Sequence, residues 1–180
     1  MIMKRMCLVV VEDKENNSIL MVKNKRGLNQ GYYNLPGGKI EPDETIEDGT
    51  IRECIEETGI TPINLKTIGK IEFQPLNSVA YIYYTDQFKG QLVENNGDEN
   101  SSFWISKDNI PYDLMRPSDS MWIKDVINDK SINKRLTFNE DFSIKKIEDI
   151  NDNIEKYKKR YQQHLILKNK YLQSKKNKLR

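Results

Sequence analysis

Residues 38–60 read GKIEPDETIEDGTIRECIEETGI, and the placement of acids, glycines and aliphatics in this stretch governs the reading of the whole chain. Three of its glutamates, Glu53, Glu56 and Glu57, stand at i, i+3 and i+4, a spacing that stacks side chains along one face of a helix. Carboxylates so close repel one another unless positive charge sits among them. Hard divalent cations with a preference for oxygen, Mg²⁺ or Mn²⁺, suit such a group. The helix ends are legible too. Pro42 and Asp43 precede it, Thr45 followed by Asp48 is a loose capping pattern, and Gly59 is placed to end it. Gly49 in its interior costs about 1 kcal/mol against alanine, and a close approach by the Gly37–Gly38 loop would account for it.

The fixed points Gly38, Glu44, Arg52, Glu53, Glu56, Glu57 and Gly59, followed by the aliphatic Ile60, resemble the Nudix box. Seven specified residues at this spacing recur by chance at on the order of one position in a hundred million, so coincidence is excluded. Cys54 stands where a larger aliphatic is usual, a mild change because a buried cysteine behaves as a small hydrophobe. The resemblance implies an α/β fold, the Nudix-type α/β/α sandwich with a mixed central sheet. It also implies metal-dependent hydrolysis of nucleoside diphosphates linked to another group. Such hydrolysis needs a neutralised polyphosphate, a positioned water and a base. Glu53, Glu56 and Glu57 are assigned as metal ligands, with Gly38 letting the loop backbone come near them. Arg52 is assigned to orient one of those carboxylates and Glu44 to fasten the loop to the helix. Glu99, with Asp98 and Glu94 behind it, is the choice for a further ligand or base.

The chain has 180 residues, room for one domain with a full core. Its net charge of +2 and mean hydropathy of −0.76 suit a soluble chain. The charge is uneven: residues 151–180 hold ten Lys or Arg and two Asp or Glu, a net of +8, so the preceding 150 carry −6. This divides the chain into a hydrolase domain over 1–150 and a basic extension over 151–180. Two cysteines suggest no disulfide framework, and the apolar run Met6–Val11 is too short for a signal core or a membrane span. The cytoplasm is the expected compartment.

Strands are expected over Cys7–Val11, Ile19–Val22, Thr67–Phe73, Val79–Phe88 and Ser102–Ser106. A second helix over Ser118–Asp129 opens on a good N-cap, with apolar residues at 121, 122, 126 and 127. Arg135–Ile144 reads as a last strand pair or loop. From Asn151 onward, Ile154, Tyr157, Tyr161, Leu165 and Leu172 fall at helical spacing, an amphipathic helix that needs burial on the acidic body or on a second subunit, as in a homodimer. Nucleic-acid binding by this tail, through its charge and its tyrosines, is the less favoured reading.

The resemblance extends beyond the box. The segments ETIEDG (44–49), GKIEF (69–73) and IPYDLMRPSDSMW (110–122) are similar to the MutT-homologue branch that removes oxidised purine nucleoside triphosphates, notably 8-oxo-dGTP. Asn34 matches that branch's base-binding asparagine, Asp119 its second acid and Phe73 its aromatic. Ser118 replaces the first acid, Arg116 the tryptophan and Leu28 a phenylalanine. Lys39, beside the glycine loop, joins Asn34, Asp119, Phe73 and Arg116 as a candidate substrate contact. Tyr32, Tyr33 and Trp122 suit a base slot or the core, while Cys54 and Met121 read as core. Pro75, fifteen positions after Ile60, is reminiscent of ADP-ribose hydrolases, though a turn explains it equally. His164 lies in the tail, away from the candidate catalytic residues.

Overall fold

The computed structural model describes residues 3–96, 100–128 and 131–150, together with Ile166. The tail read as an amphipathic helix lies, apart from Ile166, outside the described residues.

The run CLVVV forms the middle of β1 (Lys4–Asp13). Its side chains are buried on both sides. Leu8 and Val10 enter one core, and Cys7, Val9 and Val11 enter another. A strand covered on both faces carries a continuous apolar run rather than an alternation. β1 runs parallel to β6 (Ser78–Thr85) and meets β2 (Ser18–Asn24) in a short antiparallel turn. Around this pair the described residues build a mixed nine-stranded sheet. Its order is β11 (Ile144–Asp149), β10 (Ile132–Phe138), β5 (Lys66–Gln74), β6, β1, β2, β9 (Asn100–Ser106) and β8 (Asn95–Asn96), with β3 (Tyr33–Asn34) also pairing β2. A small second sheet joins β4 (Ile60–Ile63) to β7 (Gln87–Gly90).

One helix covers each face. α1 (Ile46–Thr58) buries Ile46 and Cys54 against Val9, Leu20, Tyr81 and Tyr83. α2 (Pro117–Ile127) buries Trp122, Ile123, Val126 and Ile127 against Ile71, Ile82, Ile132 and Leu136. The architecture is therefore the expected α/β/α sandwich. No helix among the described residues is long and apolar enough to cross a membrane.

Several local expectations change. The strand expected over Val79–Phe88 is broken at Asp86. Thr85 donates its hydroxyl to the Ile63 carbonyl and accepts the Gln87 N–H at 3.0 Å, so the chain turns away to pair with β4. The last pair is a hairpin of β10 and β11, longer than expected and begun earlier because Ile132 and Leu136 are buried under α2. α2 opens on Arg116 with Pro117 in its first turn, not on Ser118, whose hydroxyl donates to Asp119 Oδ1 at 3.2 Å. Met121 is 53% exposed rather than core, because the buried stripe falls on Trp122 and Ile123. Gly49 is explained by other neighbours than the Gly37–Gly38 loop: a β-carbon there would lie 2.7 Å from Glu44 Oε1 and 2.8 Å from Ile40 Cδ1.

Buried ion pairs stitch the strands. On β5, Lys70 is 1% exposed and donates to Glu72 Oε1 at 2.7 Å, while Arg135 of β10 donates to Glu72 Oε2 through Nε at 3.0 Å and Nη2 at 2.8 Å. Near the other end of β1, Glu12 accepts from Tyr84 at 2.6 Å and from Lys107 at 2.8 Å. Removing Glu72 takes a shared acceptor from the buried Lys70 and from Arg135, and the loss of one partner of a buried charge is costly. Glu72→Ala is accordingly expected to cost about 3 kcal/mol in urea unfolding; a loss below about 0.5 kcal/mol would show that the pairing contributes nothing beyond a surface contact.

Candidate active site

The loop before α1 is laid along the part of β1 that β2 leaves free. Val9 N–H donates to Pro36 O at 2.9 Å, Cys7 N–H to Gly38 O at 2.9 Å, and Ile40 N–H to Arg5 O at 3.0 Å. Its two glycines leave room on opposite sides. Gly37 has φ +149°, and a β-carbon there would collide with the Cys7 carbonyl; one at Gly38 would collide with the Glu53 carboxyl. The loop is thus wedged between β1 and the acids of α1.

α1 holds those acids in position. Thr45 caps it, accepting the Asp48 N–H at 3.0 Å, and Gly59 closes it in the left-handed region. Arg52 gathers the carboxylates around its guanidinium. It grips Glu44 with two donors, Nε to Oε2 at 3.0 Å and Nη2 to Oε1 at 2.6 Å. Its Nη1 reaches Glu53 Oε1 and Glu56 Oε2, each at 3.0 Å, and Nη2 also donates to the Lys39 carbonyl at 3.0 Å. Glu44 in turn accepts the Glu41 N–H at 2.7 Å. Arg52 thus contacts three carboxylates, and Glu44 links the loop to the helix through Arg52 and Glu41.

Electrostatics separate the acids. The Arg52 hydrogen bonds hold Glu44 below the usual carboxylate range, and the same contacts raise the pKa of Arg52. Burial pushes Glu53 up, against the pull of Arg52. Burial also pushes Glu57 up to about 7, with the charge of Glu53 adding to it, although the Gly37 N–H donates to Glu57 Oε2 at 2.8 Å. Glu56 is the exposed member.

Among the described residues, no three acidic, histidine or cysteine side chains stand ready-made around a common point for a metal ion, because Arg52 occupies the space between Glu53 and Glu56. The donor set nonetheless suits a hard divalent cation: carboxylate oxygens only, two of them raised by burial and mutual repulsion, and a loop whose missing β-carbon keeps Glu53 accessible.

A parallel bridge joins Tyr33, next to Asn34, to Met115, next to Arg116. Asn34 Oδ1 accepts the Leu35 N–H at 2.8 Å, which leaves its amide N–H groups for other acceptors. Asp119 folds back over Arg116, donating its N–H to the Arg116 carbonyl at 2.9 Å. Burial raises the Asp119 pKa, while Ser118, Arg116 and Trp122 pull it down. Phe73 stacks on Phe138 at 6.4 Å. Tyr33 is half-buried against Phe103, with Lys23 over its ring at 5.3 Å, whereas Trp122 is core. Lys39 is exposed, 3.9 Å from Glu41. Glu94 is exposed, and Glu99 and Asp98 lie outside the described residues. Sequence reasoning gave no site role to Asn100 or Ser102 of β9, which reach Glu57; Ser102 opens the expected strand, and both are ordinary residue types.

The NUDIX domain family model matches residues 3–126. The chain is 33% identical over 116 residues to the oxidized purine nucleoside triphosphate hydrolase of Danio rerio, covering 62% of this chain and 73% of that one. It is 32% identical over 130 residues to the protein of the same name from Mus musculus, covering 70% and 82%. Among solved structures, a mutator MutT protein from Bacillus halodurans matches with a TM-score of 0.68 at 22% identity, covering 84% of this chain and 100% of that one, a likeness of fold. The chain therefore belongs to the Nudix family, as a Nudix pyrophosphohydrolase.

Two outcomes test the site. Glu57 has a folded-state pKa above its unfolded value, so its contribution to stability is complete below the ordinary carboxyl range and is lost as pH rises through about 7. In metal-free protein, wild type should lose stability relative to Glu57→Gln between about pH 5 and 8; a difference in Tm that stays flat across that range would refute the buried-carboxyl reading. Gly38→Ala should lower kcat at least about tenfold with little change in Tm, since the added methyl displaces a side-chain carboxyl rather than backbone.

Proposed function

We propose that this Nudix hydrolase cleaves a purine nucleoside triphosphate to the nucleoside monophosphate and pyrophosphate. Oxidised purines such as 8-oxo-dGTP are the favoured substrates, and the reaction runs in the cytoplasm. The observation that supports this reading is the Tyr33–Met115 bridge, which joins the strand that carries Asn34 to the segment that leads into Arg116 and Asp119. Asn34 offers N–H donors and Asp119 a carboxyl acceptor, together a complement for a base edge that carries an acceptor and an N–H. A partly buried polar pair of this kind rejects a base that leaves it unmatched. Arg116 supplies a planar cation where relatives of the oxidised-purine branch carry a stacking ring.

Glu53, Glu56 and Glu57 are the residues assigned to hold Mg²⁺ or Mn²⁺, beside Gly38. When bound, the cation neutralises phosphate oxygens and lowers the pKa of a coordinated water. The chain's own residues do the rest. Arg52 and Glu44 keep the acids gathered when no substrate is present, and the Gly37–Gly38 loop brings backbone up to them. Lys39 and Arg116 add positive charge toward the polyphosphate and the base. The domain assigned to this chemistry is residues 1–150, with 151–180 a basic extension.

Hydrolysis of ADP-ribose is the second reading. Pro75 is exposed in the β5–β6 turn, and that turn is sufficient reason for it. Pyrophosphate release from dGTP, 8-oxo-dGTP, dATP and a 5′-triphosphate RNA, and phosphate-monoester release from ADP-ribose, with Mg²⁺ and a Glu56→Gln control, separates the readings. The expected result is preference for 8-oxo-dGTP, reduced by at least about a hundredfold in the variant. Equal rates on all triphosphates, or the highest rate on ADP-ribose or RNA, would overturn the substrate assignment.

A further inference from the structure

Asn100 opens β9 opposite Asn24 of β2, and it is 2% exposed. It faces α1: Ser102, two residues on and so on the same side of the strand, donates its hydroxyl to the Glu57 carbonyl at 2.8 Å. The Asn100 side chain lies close to the Glu57 carboxyl and favours its ionised form. A neighbour that favours the ionised carboxyl presents a donor to it. The amide NH₂ therefore faces Glu57, and the amide oxygen is the end left over. That oxygen, Oδ1, is buried and has no hydrogen-bond partner among the described residues.

An orphaned buried acceptor costs about 1–3 kcal/mol, and folded proteins leave such groups where a water, ion or ligand completes them. The surroundings choose among these. Glu53 and Glu56 add negative potential at Glu57, so the place disfavours an anion and favours a cation. A neutral carbonyl oxygen is also an ordinary ligand for hard divalent ions. We propose that Asn100 Oδ1 is an oxygen ligand, directly or through a bound water, of the divalent cation assigned to Glu53, Glu56 and Glu57, while its NH₂ fixes the Glu57 carboxylate. This rests on the metal assignment made above and adds to it a neutral ligand from the sheet. Asn100 then couples β9 to the metal as Arg52 couples the loop.

The test is Mn²⁺ affinity of the full chain, measured from the electron paramagnetic resonance signal of free Mn²⁺ without nucleotide. Asn100→Leu keeps the volume and removes the amide; Asn100→Asp keeps an oxygen donor. Melts followed by circular dichroism establish that each is folded. Affinity should fall about 10- to 100-fold in Asn100→Leu and return to at least the wild-type level in Asn100→Asp. Wild-type affinity in folded Asn100→Leu would overturn the proposal, as would an Asn100→Asp protein as weak as Asn100→Leu. If Asn100→Leu does not fold, Asn100→Asp decides alone: retained affinity supports the role, and a tenfold loss overturns it. Glu56→Gln is the control for the underlying assignment. Should it leave Mn²⁺ binding unchanged, the carboxylate site itself fails, and that result is distinct from a failure at Asn100.

Discussion

Crowding of negative charge on one helix is the constraint around which this molecule is arranged. Glu44, Glu53 and Glu56 all meet the guanidinium of Arg52, and Glu57 is buried behind them with a strongly raised pKa. Glu53, Glu56 and Glu57 on the helix, with Glu44 beside it, would repel one another if left alone. Arg52 satisfies three of them with a planar fork of donors that a lysine could not reproduce. The arginine therefore supplies the positive charge that holds these acids together.

The rest of the architecture serves that helix. β1 is buried on both faces and gives one edge to the Pro36–Ile40 loop, so the glycines are pressed between rigid backbone and the Glu53 carboxyl. β9 approaches from the other side through Ser102 and Asn100. Gly49, an apparent defect in α1, makes room for the Glu44 carboxylate that anchors Arg52. The backbone is permissive at these points because the acids need the space, at a modest cost in helix propensity.

Much of this was legible from residue order. The box helix and both its caps followed from spacing, because each depends on neighbours within one or two helical turns. The central strands followed from apolar runs. The errors lie where distant contacts decide. Thr85 breaks a strand only because Ile63 lies across from it, Met121 is exposed because α2 is rotated by one position on the sheet, and the β4–β7 pair carries no strong local signal.

The sequence by itself determined the family, the helix that carries the acids and the identity of the acids, since chemistry at i, i+3 and i+4 is local. Only the tertiary structure decided what surrounds them. It joined Tyr33 to Met115 by one bridge across the chain, and it brought Asn100 to Glu57 across 43 positions of chain. Burial, and with it the separation of pKa among chemically identical glutamates, arises from packing between segments far apart in sequence, which no local pattern encodes.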